Sequence, residues 1–414
     1  MSESSFKDIK HWLDQVSGAA EAPTPASAHS SPLPPPTSSH PQKKKKRRAS
    51  IATARDSSPS KRPRIADDRT TISDISLRST TSTTSRQVSP SRDILNQLRL
   101  ADPPVIYGPL AVSPVPESIV TLRKRLADGF GHNIIPRGLE SRIRAWDSLS
   151  ADDIPETAYC NSSTLSDASL DNLWAELKTI FFDARQCDFY NKDENAWCLD
   201  VVQPLLNSSI QGFPLLQLVN VQSQQIDPSL LPRSKSTLGK LSKKTDYTLS
   251  FACRDALVQD LYNKISLGGH GYEISQTTDA FTKRIVLFSG MEVKSEDGGK
   301  KEALAQLAIW LAAGLEKTRQ LGAQVKGEGE GEDSANWLLP SLGLTIIGHD
   351  WYVYLAYKLG NELHVVGPVN AVVTDTRTIY GILKVRDLIK RVAEYASQVY
   401  WPWIRDEILQ PLAA

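Results

Sequence analysis

A chain of 414 residues is long enough for two or three folded units, or for one domain with long appendages. Its net charge of +1 is unevenly spread: residues 1–100 hold 17 Lys+Arg against 9 Asp+Glu, while the rest hold 31 against 38. Four cysteines (Cys160, Cys187, Cys198, Cys253) without a CxxC pair argue against a disulfide framework or a zinc knuckle, and the absence of a secretory core or any span-length apolar run predicts a soluble intracellular protein with no membrane partner.

In chain order, Phe6, Ile9, Trp12, Leu13 and Val16 recur at helical spacing. They predict a short amphipathic helix over 5–16, too small to be stable alone, that docks on the chain's own body or on a protein partner. Residues 19–88 are Ser, Thr, Pro, Ala and charge, a composition that buries too little apolar surface to offset ordering entropy. The region 1–90 is therefore read as a disordered basic tail. Within it stand two clusters, Lys43, Lys44, Lys45, Lys46, Arg47, Arg48 and then Lys61, Arg62, Arg64. Such clusters act as nuclear import signals or nucleic-acid patches, and a nuclear location is expected. Ser58-Pro59 and Ser89-Pro90 are sites where phosphorylation would reduce that charge.

Ordered structure is expected from about residue 91. Helical periodicity covers 93–100, Glu117–Ala127, 139–146, 170–184 and 194–206, so 91–190 reads as a helical layer. The pattern then turns strand-like at 213–222, Tyr247–Phe251 and 285–293. An Ala- and Leu-rich helix follows at 302–319, then strands at 342–347, 351–357 and 363–366, and a terminal helix over 376–398. The acidic, Gly-rich segment 326–333 reads as a surface loop. No Walker motif, Rossmann fingerprint or internal repeat is present. Helix, three strands, helix and strand define an α/β core in one sheet, over 191–405.

Two pieces of this core carry chemistry. Asp246 opens one apolar run, and Glu292-Val293-Lys294 closes another. Side chains alternate along a strand, so Glu292 and Lys294 share a face while Val293 points away. An aspartate from a neighbouring strand completes a pair of carboxylates beside an ammonium, which suits a hard divalent cation and a water attacking phosphate. A lone Glu-x-Lys is weak, since Glu176-Leu177-Lys178 repeats it in mid-helix as a solvated face. Asp279, in a polar Thr-rich loop, ranks second as the first acid. His349-Asp350 reads as a turn and His270, between glycines, as loop.

Several ordered blocks raise the odds: Asp246-Tyr-Thr-Leu249, Ser275-Gln-Thr-Thr278, Gly290-Met-Glu-Val-Lys294, Glu302 to Trp310, Leu339-Pro340, Gly348 to Trp351 and Trp401-Pro-Trp403. Together, over about 95–405, the chain resembles the fungal branch of the PD-(D/E)XK nuclease-like proteins. The resemblance implies a restriction-endonuclease-like core, a mixed central sheet flanked by helices, with magnesium or manganese bound at the sheet. It matches Asp246 to the first acid, Glu292 to the second and Lys294 to the lysine. Thr245 stands where the motif's proline would be. Gln306 and Trp310 resemble a Gln-x-x-x-Tyr element, with Trp replacing Tyr, so the hydroxyl is lost. Glu194 is the candidate extra acid. Metal ligands would then be Asp246, Glu292, the Val293 carbonyl and, through water, Glu194; Gln306 would orient ligands.

The functional expectation is a divalent-metal-dependent nuclease acting on DNA or RNA. The alternative is a catalytically inactive nuclease-fold module that binds nucleic acid or chromatin, an option the acidic body keeps open. A third reading is an interaction protein whose N-terminal helix recruits a partner.

Overall fold

A computed structural model describes residues 90–109, 115–161, 165–234, 244–268, 271, 273–326 and 337–414. The expected helix at 5–16, the tail with both basic clusters, His270 and nearly all of the acidic Gly-rich segment lie outside the described residues. The described residues belong to one unit, within Asp67–Ala414.

Helix α1 (Pro90–Arg99) leads into strand β1 (Val105–Gly108), then α2 (Glu117–Ala127). A two-strand ribbon of β2 (Ile135–Pro136) and β3 (Tyr159–Cys160) brackets α3 (Glu140–Trp146) and α4 (Ser148–Asp152). Ser166 caps α5 (Asp167–Phe189), whose buried stripe includes Leu177, Ile180, Phe181 and Ala184. Asp193 caps the next helix, α6, which runs over residues 194–210 with a π-helical turn at Trp197–Val202. The remaining strands are β4 (Leu216–Asn220), β5 (Tyr247–Phe251), β6 (Leu287–Lys294), β7 (Ser341–Ile347), β8 (Asp350–Leu359), β9 (Glu362–Val366) and β10 (Thr374–Asp375). Between them lie α7 (Ala256–Leu267) and α8 (Lys300–Lys326), and α9 (Ile379–Tyr395) follows the last strand.

The strands form one mixed sheet in the order β1-β9-β8-β7-β6-β5-β4, with β10 pairing to β8. The β1–β9 and β6–β7 pairs are parallel, and the other pairs are antiparallel. Helices flank this sheet, giving the restriction-endonuclease-like α/β fold. Helix α8 lies directly on β6 and β7 because Gly290 and Gly343 offer no side chain. A Cβ at Gly290 would meet Trp310 at 2.5 Å, and one at Gly343 would meet Leu307 at 2.5 Å. Trp310 is core, as its indole N–H donates to the Ser289 carbonyl at 2.9 Å.

Besides the two-residue strands β2, β3 and β10, three larger features depart from the sequence reading. Strand β1 joins the sheet from a stretch where no strand was expected; four residues after Pro103-Pro104 carry almost no periodic signal. Helix α7 was passed over, although Val258, Leu261, Tyr262 and Ile265 are buried at helical spacing behind an Asp255 cap. The terminal helix does not stop at 398 but continues through alternating π and α turns to Ala413. Each π turn, in α6 and here, ends two residues before a proline, at Pro204, Pro402 and Pro411. Proline has no N–H to donate and its ring crowds the carbonyl four residues back, so the preceding turn widens.

Candidate active site

Asp246 immediately precedes β5, and its backbone is fixed from both sides. Its amide donates to the Met291 carbonyl at 3.1 Å, and its carbonyl accepts from the Val221 amide at 2.8 Å. Thr245, at the proline position of the motif, donates its hydroxyl to the same Met291 carbonyl at 2.9 Å. The carboxylate is held as firmly. Oδ2 accepts the Val293 amide at 2.8 Å and Oδ1 accepts Gln222 Nε2 at 2.9 Å.

Glu292 and Lys294 come from the end of β6, and a bulge determines which way they point. Tyr247 pairs with Met291 but Leu249 with Phe288, so Thr248 faces two residues, Ser289 and Gly290. Ser289 has φ +75°, and its carbonyl accepts both the Thr248 hydroxyl at 3.0 Å and the Trp310 indole. One extra residue reverses the alternation of everything after it, so the bulge sets the face that Glu292 and Lys294 occupy.

The third acid arrives from the helical side. Glu194 begins α6, and one turn later Trp197 is buried edge-on against His349 with centroids 5.2 Å apart. Lys294 Nζ lies 2.8 Å from Glu292 Oε1 and 3.1 Å from Glu194 Oε2. One carboxylate oxygen from each of Glu194, Asp246 and Glu292 can be chosen so that all three lie within 4.8 Å of one another.

All of these charges but Glu194 are almost fully withdrawn from water. Glu292 is 1% exposed and Lys294 8%. Burial raises the Glu292 carboxyl well above its ordinary range, and the Asp246 charge adds to that despite Lys294. Burial opposes charge on Lys294, but Glu292 and Glu194 outweigh it and push its pKa up. Lys294 is therefore an ammonium at neutral pH. Once Glu292 gives up its proton, three carboxylates and one ammonium would carry −2, the complement of a divalent cation. Glu292 Oε2 is buried without a hydrogen-bond partner. A buried acceptor in that condition is costly unless something positive meets it. The donors are all oxygens, so the residues present fit a hard divalent ion such as magnesium or manganese.

The structure thus brings Asp246, Glu292, Lys294 and Glu194 together. Val293 joins through its amide, where a carbonyl ligand was expected. Gln306 acts on the backbone: its Nε2 donates to the Lys244 carbonyl at 3.2 Å, bracing the chain that leads to Asp246. Asp279 turns its Oδ1 to the amides of Phe281 and Thr282 and caps a short turn. His349 sits in a buried turn, with Nδ1 2.8 Å from the Thr376 hydroxyl. Gln222 escaped the sequence reading. It follows β4 in a run of polar residues, and nothing in its spacing marks it until Asp246 is seen beside it.

A family model described as the PD-(D/E)XK nuclease superfamily matches residues 143–401, which contain all four site residues. No curated protein matches the chain. Among the described residues no helix is long and apolar enough to cross a membrane.

Proposed function

Because the chain belongs to the PD-(D/E)XK nuclease superfamily, we propose that it is a divalent-metal-dependent nuclease that hydrolyses phosphodiester bonds in DNA. The observation that carries this reading is the convergence of Glu194, Asp246 and Glu292 on one point with Lys294 between them. A pseudo-nuclease has no need to keep two buried carboxylates and a buried ammonium beside a third, partly exposed acid, since each buried charge costs solvation that a purely structural site would avoid.

Asp246, Glu292 and Glu194 would hold the cation, which when bound supplies Lewis acidity to the phosphoryl group and lowers the pKa of water there. Asp246 is aimed by Gln222 and the Val293 amide, which both donate to it. Lys294 carries a permanent positive charge to the place where negative charge builds on the phosphoryl oxygens during attack. Gln306 keeps residue 244, and with it Asp246, in place. The acidic surroundings explain why the polyanion needs the metal at this point: without it the carboxylates repel phosphate.

The test offers duplex DNA, single-stranded DNA and RNA to the full chain with magnesium or manganese. Cleavage of DNA by wild type, lost by at least a hundredfold in Asp246→Ala and Lys294→Ala, is the expected result. Cleavage unchanged in both variants rejects the site. Tight, salt-sensitive binding without cleavage by wild type promotes the inactive binding module instead.

A further inference from the structure

Helix α5 ends on two large rings that the core does not use. Phe189 is 77% exposed and Tyr190 67% exposed, and they stand edge to face with centroids 5.0 Å apart and planes at 88°. The pair is not on a wandering loop. The Tyr190 amide closes on the Gln186 carbonyl at 3.0 Å, and the Lys192 amide on the Cys187 carbonyl at 2.8 Å. Asn191, at φ +47°, takes the left-handed conformation that turns the chain from α5 toward α6.

Both ends of this turn lie beside the site edge of the sheet. Strands β6 and β7 run parallel, with Lys294 paired to Ile347, so the chain leaves both at the same edge. The Gly348 amide donates to the Lys294 carbonyl at 2.8 Å, and the following residue, His349, has Nε2 3.8 Å from Asp188 Oδ2. Asp188 directly precedes the two rings. On the other side, Glu194 reaches Lys294 Nζ. Tyr190 is four residues from Glu194, a span of at most about 14 Å. The rings are therefore flanked by Asp188, which approaches His349 in the turn after β7, and by Glu194, which reaches Lys294, so they stand within a nucleotide or two of the acids.

We infer that Phe189 and Tyr190 form a stacking platform for an unpaired base next to the scissile phosphate, so that the preferred substrate carries single-stranded nucleotides at the cleavage point. This rests on the nuclease reading for the identity of the bound polymer. Every base has a π-face, and aromatic rings bind such faces without sequence preference. In a duplex those faces are already covered by neighbouring bases, so exposed rings reward only the unstacked strand. Stacking also supplies affinity where charge does not, beside a cluster of acids.

The test measures binding, not cleavage. The full chain is titrated, without added divalent metal, into a single-stranded DNA carrying 2-aminopurine and into its duplex. Salt is kept at about 0.3 M, where contacts to phosphate are screened. The proposal expects quenching of the 2-aminopurine and tighter binding of the single strand by wild type. The double variant Phe189→Ala, Tyr190→Ala should lose roughly fivefold to a hundredfold on the single strand and less than about twofold on the duplex. The ring-preserving pair Phe189→Tyr, Tyr190→Phe should keep wild-type binding. Both positions are exposed, so an unchanged thermal melt shows that the fold is intact. Equal single-strand affinity in wild type and the alanine variant overturns the proposal, and leaves the rings to a protein partner. Equal losses on both DNAs, or no single-strand preference in wild type, overturn it too. If Asp246→Ala leaves cleavage unchanged while the alanine pair still loses single-strand binding, the nuclease reading fails and the platform stands.

Discussion

Asp246 shows how one carboxylate is kept both charged and aimed. It accepts a backbone amide on one oxygen and Gln222 Nε2 on the other, at 2.8 and 2.9 Å. Hydrogen bonds to the charged form favour it, and the Asp246 charge adds to the burial that raises the Glu292 carboxyl. Gln222 also bonds Cys198 Sγ at 3.3 Å, so its amide is oriented by α6 as well as by the acid. Replacing Gln222 with Leu keeps the bulk and removes the donor. Partners that orient ligands in this way are worth roughly 10- to 100-fold in metal affinity or activity. The variant should fold normally, need more metal for half-maximal cleavage and turn over less. A variant that matches wild type at every metal concentration would show that the Val293 amide alone suffices.

At the scale of elements, α8 is the piece that joins the sheet to its helical cover. Gly290 and Gly343 let it approach, Trp310 bonds the bulge, and Glu316 pins it to β8 by accepting from Lys358 at 2.8 Å while Arg319 of the same helix donates to it at 2.7 Å. Burial raises the Glu316 carboxyl, but the hydrogen bonds from Arg319 and Lys358 outweigh that and bring it to about 2. A depressed folded value means stability that is present above the unfolded value, about 4.3, and lost as pH falls through 2. Allowing for the exposed side of Arg319, Glu316→Gln should cost about 2 kcal/mol at pH 7. Urea unfolding should show that gap narrowing at pH 3; a constant gap would assign the effect to packing. Much of this layout could be read from the chain, because β5, β6, β7 and α8 each keep one period long enough to declare itself. Asp246, Glu292 and Lys294 were legible because each stands at the end of such a segment, and Glu194 entered only through the family resemblance. What stayed hidden depends on partners distant in sequence. Strand β1 is a strand only because β9 lies beside it, and Gln222 matters only because Asp246 does. The bulge at Ser289 has a single mark in the residue types around it, Gly290. The prolines at 204, 402 and 411 read as stops, yet tertiary packing carries each helix past them with a wider turn.

For the molecule as a whole, the acid cluster makes folding, pH and metal a single linked equilibrium. Burial and the Asp246 charge raise the Glu292 carboxyl in the folded state. A raised folded value gives stability that is fully present below the unfolded value of about 4.3 and lost as pH rises through the folded one. The metal-free protein should therefore weaken as pH increases from weakly acid toward neutral and beyond, because the folded state must then hold a charge that the unfolded chain holds at no cost. A cation that binds only the folded, ionised cluster reverses this, and binding releases the proton. At a hundred times its dissociation constant it would add about 2.7 kcal/mol, a rise of about 5 °C in melting temperature for a body of this size. Thermal melts with EDTA or magnesium at pH 6 and pH 8 should show the larger rise at pH 8. Asp246→Asn should lose the rise at both, and should itself be less pH-sensitive without metal, since one of the charges opposing Glu292 is gone. A magnesium effect that survives in Asp246→Asn, or that is larger at pH 6 than at pH 8, would mean that the ion binds elsewhere on the protein.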